Sequence, residues 1–281
     1  MENYKLTPER IAAYGRYLIQ EERAPATIEK YLRSIHSFAA WLDGRAVTKE
    51  TVAGWKEGLL EEHRSPSTVN AALSALNGLF RFLGWEGCHA RFLKVQRRLF
   101  RDPARELDRN SYDKLIAAAR DLGRDRLALL METICATGIR VSEVQYITVE
   151  AARRGEAEIR LKGKIRNIIL PKKLCRKLLN YAGKQKTASG EIFLTKSGKG
   201  LSRRQIWAEM KSLCRHAGVD AAKVFPHNLR HLFARVFYKS CRDIVRLADV
   251  LGHSSIETTR IYLVTTVAEY TRQMERLGLV C

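Results

Sequence analysis

Four short stretches in the second half of the chain carry residue types that can do chemistry. ATGIRVSEV, Ala136 to Val144, contains Arg140 and Glu143, and RLKGKIRN, Arg160 to Asn167, contains Lys162, Lys164 and Arg166. PHNLRHLFAR, Pro226 to Arg235, sets His227 and Arg230 three apart, and LGHSSIETTRIYL, Leu251 to Leu263, sets His253 and Tyr262 nine apart. Two guanidiniums can grip the non-bridging oxygens of a phosphodiester and stabilise the extra charge of a pentacoordinate phosphorus. A lysine can protonate the departing oxygen. A phenol with an ordinary pKa of about 10 is a weak nucleophile near neutrality, so a histidine that takes its proton is a natural companion. Tyrosine can then form a covalent phosphoester. No acidic cluster with metal-ligand spacing accompanies these residues, so the cations stand where a metal would. The set fits phosphoryl transfer from DNA to a tyrosine.

Singly, each residue also has an ordinary use. Arg140 can simply pair with Glu143, three positions on. Lys162 suits a solvated turn, His227 the start of a helix, His253 a helix end, and Tyr262 a core position with a polar tip. What separates the readings is whether the elements bring the set together. Arg140 follows a Gly-containing helix end and is expected to open another helix, where amides and guanidinium would meet an anion. Apolar and polar residues alternate on both sides of Lys162-Gly163-Lys164, which predicts a β-hairpin over Ala157 to Pro171 with a basic tip. His227 and Arg230 share one helical face. Nine residues are about 2.5 helical turns, which would put His253 and Tyr262 on opposite sides of a single helix. Either a helix begins after Ser254-Ser255 or the tyrosine is placed separately.

The first hundred residues read as four short amphipathic helices. Thr7-Pro8, Thr48 and Ser65-Pro66 are helix starts, and Ile11, Tyr14, Leu18, then Ile35, Phe38, Leu42, then Val69, Leu73, Leu76 and Phe80 recur at helical spacing. The charged, Pro-containing stretch from Lys94 onward reads as a linker, with a new helix starting near Asn110 or Ser111. The predicted organisation is a helical domain over 1–95, a linker over 96–108 and a second domain over 109–281, mainly α with a small antiparallel sheet. EIFLT, Glu191 to Thr195, is a candidate third strand. Val267, Tyr270, Met274 and Leu277 form an apolar stripe on a terminal tail helix.

The chain has 50 Lys and Arg against 30 Asp and Glu, a formal charge of +20. Residues 1–100 hold 15 basic and 11 acidic side chains and residues 101–281 hold 35 and 19, so the excess sits with the candidate chemistry. A field of this sign favours nucleic acid through counterion release. No basic amphipathic helix or long apolar run points to a membrane, and Met1 to Tyr4 opens no signal peptide. The six cysteines, none in a C-x-x-C pair, suit isolated thiols in a reducing cytoplasm.

These stretches, in this order, resemble the tyrosine recombinase family of phage integrases and Xer-type enzymes. ATGIRVSE is similar to its first arginine box, HNLRH to its H-x-L-R-H box, and LGHSS with a tyrosine nine residues after the histidine to its nucleophile box. The resemblance extends to the N-terminal helices, which look like the family's SAM-like core-binding domain. It implies that Tyr262 is the nucleophile, that Arg140 and Arg230 bind the scissile phosphate, that His227 moves a proton and that His253 contacts the phosphate. It implies a general-acid lysine at Lys162, with Lys164 still open, DNA contacts from Lys164 and Arg166, and a structural brace at Glu143. It further implies cleavage and rejoining of double-stranded DNA through a 3′-phosphotyrosine, without ATP, metal or other cofactor, by a tetramer on two duplexes. A strand relaxer of the type IB topoisomerase kind and a non-catalytic DNA-binding regulator share these features. The absence of an arm-binding domain before Thr7 suits a simple Xer-like or transposon-type enzyme.

Overall fold

The computed structural model describes residues 4–95, 105–161, 164–262, 271–272 and 274–277, with the side chains of Leu161 and Lys164 outside the description. The chain divides into two compact units, Met1–Arg97 and Arg98–Cys281. In the first, three of the four α-helices start where a side chain satisfies an orphan amide of the opening turn. The Thr7 hydroxyl accepts from the Arg10 amide ahead of α1 (Pro8–Gln20), whose first turn opens on a proline, a residue whose ring fixes φ near the helical value. After α2 (Pro25–Leu42), Thr48 and Thr51 cap α3 (Lys49–Glu61) reciprocally, and Ser65 caps α4 (Pro66–Leu83). Their apolar faces meet in one core built on Tyr14, Phe38, Trp55, Leu73 and Phe80.

The second unit opens with α5 (Arg109–Asp121), capped by Asp108, whose carboxylate accepts from the Ser111 amide at 2.7 Å. It continues through α6 (Asp125–Thr137), a 3-10 turn at Val141–Tyr146 and α7 (Val149–Arg154). Strands β1 (Glu156–Leu161) and β2 (Lys164–Ile169) pair antiparallel, with Glu156 opposite Ile169 and Leu161 opposite Lys164. Then follow α8 (Lys172–Lys184), α9 (Arg203–Ser212), α10 (Cys214–Ala217), α11 (Pro226–Cys241), α12 (Ile244–Leu251) and α13 (Ile256–Arg260). Helices α5, α6, α7 and α8 and the inner face of the hairpin enclose the main core, with Ala157, Ile159 and Ile168 on the buried side of the strands. A smaller cluster of Ala234, Leu247, Leu251 and Tyr262 seals α11, α12 and the turn after α13.

Two expectations need correction. The segment after Gly138 is a six-residue 3-10 turn with Arg140 at its cap, not an α-helix. Glu191 to Thr195 is not a strand among the described residues but makes isolated bridges, Thr148 with Glu191 and Leu194 with Gly200. Ile192 and Phe193 are both buried, whereas a half-buried strand would send neighbours to opposite faces. Lys162, Gly163 and residues 96–104 of the expected linker lie outside the described residues, as do Val267 and Tyr270 of the tail stripe; Met274 and Leu277, which are described, are exposed.

Candidate active site

The site is built at helix ends. Helix α6 stops at Gly138, whose φ of +66° is the left-handed conformation that ends a helix cheaply only in glycine. A Cβ there would fall 2.4 Å from the Phe233 ring, so space and conformation make the same demand. Helix α12 stops in the same way at Gly252, φ +63°, where a Cβ would meet the Arg166 side chain at 2.4 Å. These stops aim the carbonyls of Gly138 and Leu251 at one point between them.

Arg230 occupies that point. It lies one turn into α11, 1 % exposed, and its donors reach three segments of the unit. One terminal nitrogen donates to Gly138 O at 2.5 Å, and the other to Leu251 O at 2.8 Å and to His253 Nε2 at 2.9 Å. Its Nε donates to Tyr262 Oη at 3.3 Å. Burial, more than its charged neighbours, lowers the pKa of this guanidinium.

Arg140 is the more accessible of the two arginines, its side chain 42 % exposed. Glu143 holds it from behind. One carboxylate oxygen takes the Arg140 backbone amide at 2.6 Å, and the other takes its guanidinium at 2.9 Å. The same carboxylate, only 3 % exposed, accepts from Arg166, which also donates to Val250 O at 3.3 Å. Arg166 is thus turned inward onto Glu143 and the end of α12, with 16 % of its side chain exposed. The pairing of Arg140 with Glu143 and an open guanidinium are both present in one residue.

Three imidazoles surround Tyr262, which is 2 % exposed. His253 stacks on it with ring centroids 5.7 Å apart, His231 meets it edge-on at 4.5 Å, and His227 lies at 6.1 Å. Helix α13 begins after Ser255, whose hydroxyl caps it, and is only five residues long, so Tyr262 falls in the turn beyond it and folds back over His253. Burial, followed by Arg230 and Arg140, pushes the His253 pKa down to about 4 and lowers that of His227. A cavity of about 690 Å³ opens beside the cluster, with Arg140, His227 and Arg230 on one wall and Arg203, Arg204 and Trp207 of α9 on another.

Of the sequence-predicted residues, Arg140, Glu143, Arg166, His227, Arg230, His253 and Tyr262 converge here. Lys162 and the Lys164 side chain lie outside the described residues. Sequence reasoning passed over His231, although it stands four residues after His227 on the same helical face. It also passed over Thr259, fully buried with its hydroxyl 2.8 Å from His253 Nδ1.

Residues 105–269 match the model of the phage integrase family, and residues 11–87 match that of the phage integrase N-terminal SAM-like domain. The chain belongs to the phage integrase family and is a tyrosine-type site-specific recombinase. It is 28 % identical to tyrosine recombinase XerA of Pyrococcus furiosus over 290 residues, spanning 100 % of this chain and 98 % of that one. It is 32 % identical to tyrosine recombinase XerD of Brucella suis biovar 1 over 225 residues, 68 % of this chain and 69 % of that one. A lambda integrase tetramer bound to a Holliday junction shares the fold, with a TM-score of 0.74 at 20 % identity over 93 % of this chain and 78 % of that chain.

Proposed function

We propose that this recombinase cuts and rejoins double-stranded DNA through a covalent 3′-phosphotyrosine at Tyr262. The observation that carries the reading is the single guanidinium of Arg230, which touches the phenol, His253 and the end of α6 at once. Arg230 and Arg140 hold the non-bridging oxygens of the scissile phosphate. Tyr262 Oη attacks phosphorus, its proton passes to His227, and the bond from phosphorus to the 5′-oxygen breaks. The leaving oxygen takes its proton from Lys162 or Lys164 at the hairpin tip. Rejoining runs the same steps backwards with a second strand's 5′-hydroxyl, so the bond energy is kept in the phosphotyrosine. The N-terminal helical unit supplies a second DNA-gripping surface, and four copies act together on two duplexes. The tetrameric state of the structurally similar lambda integrase on a Holliday junction supports that last reading.

The test is a pool of randomised duplexes carrying a nick that lets the cut end diffuse away. Covalent complexes recovered under denaturing conditions are expected from the native protein, linked at a DNA 3′ end, and none from Tyr262→Phe. An adduct from Tyr262→Phe, or none from a native protein that binds the pool, overturns the reading.

A further inference from the structure

His253 has a neighbour on each ring nitrogen, and together these determine where its proton sits. Nε2 lies 2.9 Å from a terminal nitrogen of Arg230, and Nδ1 lies 2.8 Å from Thr259 Oγ1. A guanidinium has donors and no acceptor, so Nε2 accepts, and in the neutral ring the proton is on Nδ1, which donates to the threonine hydroxyl. A phosphate oxygen presents the opposite demand, because it offers only lone pairs. When a phosphodiester takes the place of the guanidinium at Nε2, that nitrogen must carry the hydrogen.

A ring protonated at both nitrogens would also meet the demand, but burial and the charges of Arg230, Arg140, Arg166 and His227 hold the ring neutral in the empty site, and the two arginines that grip the phosphate offset its single negative charge. The neutral ring therefore changes tautomer. Nδ1 releases a proton to solvent and Nε2 takes one from solvent, with no change in charge. Nδ1 is left with a lone pair facing Thr259, and only a group that can also donate will satisfy it. A backbone carbonyl or a carboxylate, the common partners of a histidine, would lock the proton on Nδ1. A hydroxyl serves both states by rotating about one bond.

We propose that Thr259 is a positioning residue that lets His253 exchange tautomers between the empty and the phosphate-bound site. This rests on the reading of His253 as a phosphate contact. Nitrogen-15 spectra of histidine-labelled protein test it, with His253→Asn to assign the ring. The free protein is expected to show His253 protonated at Nδ1. Tyr262→Phe protein, saturated with a duplex recovered from the randomised pool, is expected to show it protonated at Nε2. Thr259→Ser should keep both spectra and the native rate of adduct formation. Thr259→Val, close in shape but without the hydroxyl, should slow adduct formation about tenfold, the scale of one hydrogen bond. One tautomer in both states, a doubly protonated ring on DNA, or a native rate in Thr259→Val overturns the proposal. If Thr259→Val fails to fold, the spectra of the unsubstituted residue still decide. His253→Ala separates the two ideas: a slow His253→Ala beside a fast Thr259→Val removes only the role of Thr259, whereas a fast His253→Ala removes the phosphate contact itself.

Discussion

At the residue scale the two arginines differ in what holds them. Arg140 is braced by one carboxylate and open to solvent, while Arg230 is buried with its donors committed to carbonyls, His253 and the phenol. Each Arg→Ala substitution should lower adduct formation by at least about two orders of magnitude, the scale of losing one preorganised donor to a charged transition state. Thermal melting should part them: Arg140→Ala stays close to native, while Arg230→Ala also leaves two buried carbonyls without a donor and melts earlier. The histidines give a pH signature. His253 has a folded pKa of about 4 against an ordinary value of 6.5, so between these the unfolded chain binds more protons. Stability from this group is complete above about 6.5 and is lost as the pH falls towards 4. Melting temperatures measured across that window should fall more steeply for the native protein than for His253→Asn.

At the element scale, the helix stops are the positioning devices. Gly138→Ala forces a left-handed φ on a residue with a Cβ and drives that atom to 2.4 Å from Phe233. A cost above about 1 kcal/mol in chemical denaturation is expected, with a loss of adduct formation as Gly138 O moves off Arg230. The helix starts were legible in the sequence because caps are local chemistry: Thr7, Thr48 and Ser65 each act on the amide three residues on. The nature of the segment after Gly138 was not legible, because the Glu143 carboxylate that organises it is also drawn to Arg166, 23 residues on. The motif residues were legible as types and spacings. Their meeting was not, since Arg230 and Gly138 are 92 residues apart in sequence. The placing of Tyr262 turned on one choice that spacing left open, whether a helix starts after Ser255, and its short length there settles the geometry. Thr259 escaped notice because a threonine one turn before a tyrosine looks like any helix residue until its hydroxyl is seen on a histidine.

At the scale of the whole molecule, charge is the dominant property. With 50 basic against 30 acidic side chains, DNA binding should weaken steeply with salt, log K falling by about 0.9 for each phosphate neutralised per log unit of salt. Binding isotherms across a salt series measure the slope, and a slope near zero would remove phosphate contacts as the basis of binding. A chain beginning at Arg98 holds every residue of the candidate site. It should still form the adduct on nicked duplexes at high concentration, with weaker binding and a shallower salt slope.

The carbonyls that receive Arg230 are those of Gly138, the cap of α6, and Leu251, the last residue of α12. A helix C-terminus carries about half a negative charge, from the aligned dipoles of its peptides. Two such ends facing one guanidinium supply about one full charge, spread over backbone that cannot be titrated or swung away. None of the ion pairs among the described residues includes Arg230. A phosphate that reaches Arg230 therefore meets a cation balanced by dipoles, and it displaces no carboxylate from that guanidinium.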